Sequence, residues 1–173
     1  MNKEKIKEFE LLYNNLKLSH HNFKRMMKYL NWCFDEIDFD GKSVLDIGGG
    51  NGIYSFFSKL KGANSVLNLE PFSAGSTTFD FEGVELNDNL NISVSNQTIQ
   101  DFDTNKSFDI IILHDSINHL DENIFESIHQ DENKFEEYKK LIFKIVKLLS
   151  TNGQIVITDC SRRNFWGDLG LKN

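Results

Sequence analysis

Val44-Leu45-Asp46-Ile47-Gly48-Gly49-Gly50-Asn51-Gly52-Ile53-Tyr54-Ser55 is the stretch that decides the fold. Its apolar start reads as a buried strand, its glycines as a tight turn, and Ile53 to Lys61 as a short helix. Glycines at 48, 50 and 52 let the backbone turn sharply and approach a ligand where any Cβ would collide. The free N–H groups at the start of the helix point toward the same spot. Asp46 adds a negative charge at the end of the strand. That charge suits a ligand carrying an ammonium group and disfavours a bare pyrophosphate.

Two glycine fingerprints compete for such a turn. The dinucleotide pattern G-x-G-x-x-G requires glycine at 53 if it starts at Gly48, and at 55 if it starts at Gly50; the chain has Ile53 and Ser55. Asp46-Ile47-Gly48-Gly49-Gly50-Asn51-Gly52 instead resembles the D/E-x-G-x-G-x-G signature of the class I S-adenosylmethionine-dependent methyltransferases. The resemblance implies a Rossmann-like fold. It also implies S-adenosyl-L-methionine as cofactor and S-adenosyl-L-homocysteine as its product. Gly48, Gly49, Gly50 and Gly52 would form the floor of that site, with Asp46 near the methionine ammonium.

The segments downstream extend the resemblance. Ser65 to Leu69 reads as a second strand ending in Glu70-Pro71, 24 residues on from Asp46. A carboxylate there can accept both hydroxyls of a ribose. A third run, Ile92-Ser93-Val94, leads to Gln97-Thr98-Ile99-Gln100-Asp101-Phe102. By resemblance Thr98 and Ile99 lie against adenine, with threonine where the family usually has an acid. The fourth run, Phe108-Asp109-Ile110-Ile111-Ile112-Leu113, is followed by His114-Asp115-Ser116-Ile117-Asn118-His119. Such a loop in the family lines both cofactor and substrate. His114 and Ser116 are therefore expected at the cofactor, and His119, His114 or Asp115 at the reacting centre, where a histidine can serve as a general base.

With 173 residues the chain is long enough to bury a real core. A net charge of −7 argues against a surface built to neutralise nucleic-acid phosphates. Met1-Asn2-Lys3-Glu4-Lys5 lacks the apolar segment of a signal peptide, and no apolar run approaches membrane-spanning length. Cys33 and Cys160 have no metal-type spacing and read as buried thiols in a reducing cytoplasm. No nucleic-acid or membrane partner and no metal site are expected.

Residues 3–18 and 20–37 read as amphipathic helices, the second with Phe23, Met27, Leu30, Phe34 and Ile37 on one face and Ser19 as its N-cap. By resemblance residues 1–40 form a helical lid or extension, which makes His20 and His21 candidates for substrate contact. Residues 41–173 form the S-adenosylmethionine-binding domain. Strands are expected near 43–47, 65–69, 91–95, 108–113 and 154–159, with a long helix over 131–149 and a turn at Thr151-Asn152-Gly153. The fold class is α/β: a doubly wound, mostly parallel sheet of about five strands with helices on both faces. Right-handed connections bring the glycine turn, Glu70, Thr98–Ile99, His114–His119 and Asp159 to one edge of that sheet. Residues 71–90 show no clear period.

Only 14 residues follow Asp159, too few for the antiparallel strand pair that ends the sheet in the resembled family. The fifth strand is therefore expected to be an open edge, covered by the tail with Phe165 and Trp166 or paired with a second copy. The function expected is methyl transfer to a small molecule, a saccharide or another metabolite. A non-catalytic or truncated S-adenosylmethionine-binding protein is the alternative, and an NAD-dependent oxidoreductase ranks behind both.

Overall fold

The computed structural model describes residues 3–71, 91–125 and 127–159. Strands β1 (Ser43–Ile47), β2 (Ser65–Leu69), β3 (Ile92–Ser95), β4 (Phe108–His114) and β5 (Leu149–Thr158) make one sheet in the order β3-β2-β1-β4-β5. Every neighbouring pair is parallel. Around the sheet lie helices α1 (Lys3–Asn15), α2 (Phe23–Cys33), α3 (Ile53–Leu60), α4 (Glu122–Phe125) and α5 (Glu132–Lys147). A 3-10 turn, Ile117–His119, follows β4. The expected strands all occur, and the architecture is Rossmann-like.

A parallel sheet is covered on both faces, which is why its central strands are nearly continuous apolar runs. Val44, Ile110 and Ile112 point into a core shared with Tyr13, Leu30, Phe34 and Phe57 from α1–α3 and their connections. Leu45, Ile47, Ile111 and Leu113 point the other way, toward Tyr138, Leu141 and Ile145 of α5. The two N-terminal helices thus share one core with the sheet. The strand order reverses between β1 and β4, and ligands in open α/β sheets bind at such a reversal, outside the strands' carboxyl ends.

Three local details differ from the sequence reading. The N-cap of α2 is Asn22, whose Oδ1 accepts from the Arg25 N–H at 2.9 Å, and not Ser19. Ser19 Oγ instead accepts from the His21 N–H at 3.2 Å, inside the link from α1. The turn at 151–153 sits within β5: Leu149 pairs with Phe108, and pairing resumes only at Gln154 opposite Ile110. Asn152 takes φ 66° in this bulge, and a Cβ on Gly153 would stand 3.0 Å from the Phe108 carbonyl oxygen. Asp109 ties three strands at their amino ends. Its Oδ2 accepts from the Ser43 N–H (2.9 Å) and Oγ–H (2.8 Å), and its Oδ1 from the Ser150 Oγ–H (2.7 Å). The illegible stretch 72–90 and the tail from 160, with Cys160, Phe165 and Trp166, lie outside the described residues.

Candidate functional site

Each glycine of the turn after β1 has its own physical reason. Gly48 has φ 67°, and a Cβ there would lie 2.6 Å from the Ser116 Cβ. Gly49 covers the Asp46 and Asn68 side chains, so a Cβ on it would lie 2.7 Å from Asp46 Oδ2 and from both Asn68 amide atoms. Gly50 (φ 51°) presents its N–H to Glu70 Oε2 at 2.8 Å. Gly52 (φ 80°) is the left-handed residue from which α3 starts. The Gly48 N–H also donates to the Leu69 carbonyl at 2.8 Å, so the turn is tied to the end of β2 twice.

Asp46 is 1% exposed. Its Oδ2 accepts from the Ser55 hydroxyl at 2.7 Å, while its Oδ1 has no protein partner. Burial, chiefly, with the Glu70 charge adding to it, lifts the carboxyl to about 7 against the pull of Ser55. Asn68, in register with Asp46 on β2, is fully buried with neither amide atom partnered. Ser55 thus stands where a dinucleotide fingerprint would need glycine, and its side chain holds the carboxyl beneath the turn.

At the end of β4, His114 is packed between two helices. Its Nε2 is 2.7 Å from the Tyr29 hydroxyl of α2, and Tyr54 of α3 stacks on its ring at 4.1 Å. Its Nδ1 is 3.2 Å from Asp115 Oδ2. Burial pulls the imidazole below its ordinary range, against the opposing charges of Asp115 and Asp159. Burial likewise raises the phenols of Tyr29 and Tyr54 and the Cys33 thiol. Asp115 is exposed at φ 49°, with its N–H donating to the Thr158 carbonyl at 2.7 Å. Ser116 Oγ donates to the Ile47 carbonyl at 2.7 Å, joining the β4 loop to β1. Asn118 Nδ2 donates to Asp159 Oδ1 at 2.7 Å, which clips the same loop to the end of β5.

Asp46, the glycines, Glu70, His114 and Ser116 therefore converge. The remaining candidates are placed differently. His119 is 57% exposed and pairs with Glu122 at 2.6 Å. Thr98 Oγ1 donates to Asp101 Oδ2 at 2.7 Å within a local turn, and Ile99 is buried in the core with Phe102 and Leu69. Pro71 is half-buried at the end of the described β2 segment, and His20 and His21 are exposed. Sequence reading missed Tyr29, Tyr54, Asn68 and Asn51, whose Nδ2 donates to the Leu18 carbonyl and fastens the turn to the N-terminal helices. Only their position in space marks them. Among the described residues no group of three or more His, Cys, Asp or Glu could hold a metal ion.

Residues 18–173 match the family described as methyltransferase domain. No curated protein gives a significant match. Among solved structures, coclaurine N-methyltransferase bound to N-methylheliamine and SAH is similar over 75% of this chain and 34% of its own, at 21% identity and TM-score 0.56. DhpI in complex with SAM and HEP is similar over 98% of this chain and 73% of its own, at 12% identity and TM-score 0.55. An S-adenosylmethionine-dependent methyltransferase from Mesorhizobium loti is similar over 76% of this chain and 52% of its own, at 16% identity and TM-score 0.53. The chain thus spans 34% of the length of the first of these and 52% of the third. At these identities the likeness speaks to the fold.

Proposed function

The chain belongs to this methyltransferase family, and on that premise we propose that it transfers a methyl group from S-adenosyl-L-methionine to a small molecule. The observation that carries the reading is the Glu70 carboxylate, 5% exposed, against the Gly50 N–H at the strand-order reversal. There a carboxylate and a left-handed glycine turn share one spot. The cofactor fits this chemistry: Asp46 keeps an unpartnered oxygen beneath the turn for an ammonium, directly or through water. Glu70 would hold the ribose. Such a cofactor brings an already activated methyl group, so the protein's tasks are alignment and exclusion of water. Residues 1–40 act as a lid, fastened by Asn51 to Leu18 and by Tyr29 to His114. Thr98, in its turn with Asp101, and Ile99 would lie toward the adenine.

Calorimetry with S-adenosylmethionine, S-adenosylhomocysteine and NAD tests the reading. Binding of the first two without the third is expected; NAD binding alone would overturn it. Transfer of labelled methyl to extract metabolites separates catalysis from mere cofactor holding. No helix among the described residues is long and apolar enough to cross a membrane. The low cysteine count and the charge of −7 support a cytoplasmic setting without nucleic-acid partners. β5 ends the described sheet with Ile157 at 52% exposure, which supports pairing with a second copy along that edge. Sedimentation as a monomer would remove that part of the proposal.

A further inference from the structure

His114 has a tautomer dictated by its neighbours. Its Nδ1 has the Asp115 carboxylate, an acceptor, at 3.2 Å, which favours the neutral ring with its hydrogen on Nδ1. Nε2 is then an acceptor, and the Tyr29 hydroxyl at 2.7 Å must donate to it. Tyr54, stacked at 4.1 Å with 22° between the planes, holds the ring in this orientation. The result is a directed chain, Tyr29 O–H to His114 to Asp115, running from the half-exposed lid helix to the carboxyl end of β4. The Cys33 thiol of the same helix is the other hydrogen-bonding neighbour of the phenol oxygen at its outer end.

We propose that Tyr29 is a catalytic residue that accepts the proton of the methyl acceptor while passing its own to His114, so that the acceptor's nucleophile is an O–H or N–H group. This rests on the methyltransferase reading above. As the nucleophile's lone pair forms the bond to the methyl carbon, the carbon–sulfur bond breaks and its electron pair returns to sulfur. The nucleophile's proton moves to Tyr29 Oη, and the Tyr29 proton moves to His114 Nε2. The imidazolium that results is countered by Asp115, a positioning residue, and later loses its proton to water. The groups around His114 are Tyr29 from α2, with Cys33 against the Tyr29 hydroxyl, Tyr54 from α3, Asp115 beside it and Asp159 beyond β5. Asp115, a backbone hydrogen bond at His114 itself and Asp159 favour its charged form, and burial outweighs them. The ring is thus kept neutral and ready to accept.

Nitrogen-15 NMR of histidine-labelled full chain, without ligand, tests the arrangement apart from any turnover. The wild type should show His114 protonated at Nδ1 and bare at Nε2. Tyr29→Phe should raise the His114 titration midpoint, since the phenol hydrogen bond favours the neutral ring, and Asp115→Asn should lower it. A hydrogen on Nε2, or a midpoint unmoved in Tyr29→Phe, overturns the relay. In the extract-labelling assay Tyr29→Phe should bind S-adenosylmethionine like the wild type yet transfer methyl about 100-fold more slowly; an equal rate also overturns it. If the tautomer holds while S-adenosylmethionine fails to bind, the methyltransferase reading fails. If the cofactor binds while the hydrogen sits on Nε2, only the relay fails.

Discussion

Asp46 is a carboxyl group taken out of water, and its cost has a measurable sign. The unfolded chain gives up this proton near 3.8, whereas the folded one holds it to about 7. Folding therefore takes up a proton between those values, so the Asp46 contribution is fully present below 3.8 and is lost as pH rises toward about 7. Asp46→Asn keeps an oxygen for the Ser55 hydroxyl and removes the charge. It should be more stable than the wild type at pH ~8 by on the order of 2 kcal/mol, and should lose that advantage near pH ~4. Urea unfolding at the two pH values checks this; parallel slopes in both proteins would show that the carboxyl is not the source. The same variant should bind S-adenosylmethionine more weakly. Gly48→Val meets two obstacles at once, the φ of 67° and the Ser116 Cβ at 2.6 Å. It should destabilise the protein by about 1–3 kcal/mol and displace the loop after β4. Calorimetry should then find cofactor affinity down at least ~10-fold, roughly the effect of 1.4 kcal/mol. Normal affinity would mean the pocket is elsewhere.

At the scale of the elements, Asp109 staples the amino ends of β1, β4 and β5, opposite the edge where the site lies. Hydrogen bonds from the Ser43 backbone, then from the Ser150 and Ser43 hydroxyls, hold its carboxyl down at about 2. Its stabilising effect is complete above 3.8 and disappears as pH falls through about 2. Asp109→Ala should cost about 2 kcal/mol at neutral pH, since three donors lose a charged acceptor. It should leave cofactor affinity within about twofold, because the strands' far ends are untouched. A loss of binding as large as that from Gly48→Val would mean that strand register, and not local geometry, controls the site.

The molecule as a whole folds around two cores, one on each face of the sheet, and the N-terminal helices belong to the first. Leu30 of α2 is fully buried among Phe34, Phe57 and Ile110. Leu30→Ala should therefore destabilise the entire domain by about 2–5 kcal/mol, in a single transition. Fluorescence of Trp32 on α2, read in a Trp166→Phe background, and far-ultraviolet circular dichroism should follow one curve in urea. Separate transitions would show that residues 1–40 unfold independently of the sheet.

The alternation of strand and helix, the glycine turn with its preceding acid, and the acid ending β2 could all be read from the chain. Each is a local pattern: runs that suit buried parallel strands, glycines where φ is positive, and a carboxylate at a spacing set by one strand–helix–strand unit. Ser55 was visible only as a departure from the rival fingerprint; contact with Asp46 gave it a purpose. Gly49 looked like ligand-facing backbone, yet the space beneath it is filled by Asp46 and Asn68 from two adjacent strands. Tyr29 lies 85 residues from His114 in the chain, and no periodicity joins them. His119, the more prominent histidine by its loop position, turned out exposed, whereas His114 was enclosed by two helices. Local chemistry follows from neighbours in sequence, which the chain spells out. Burial, tautomer and proton direction follow from neighbours in space, and those exist only once the helices have closed on the sheet.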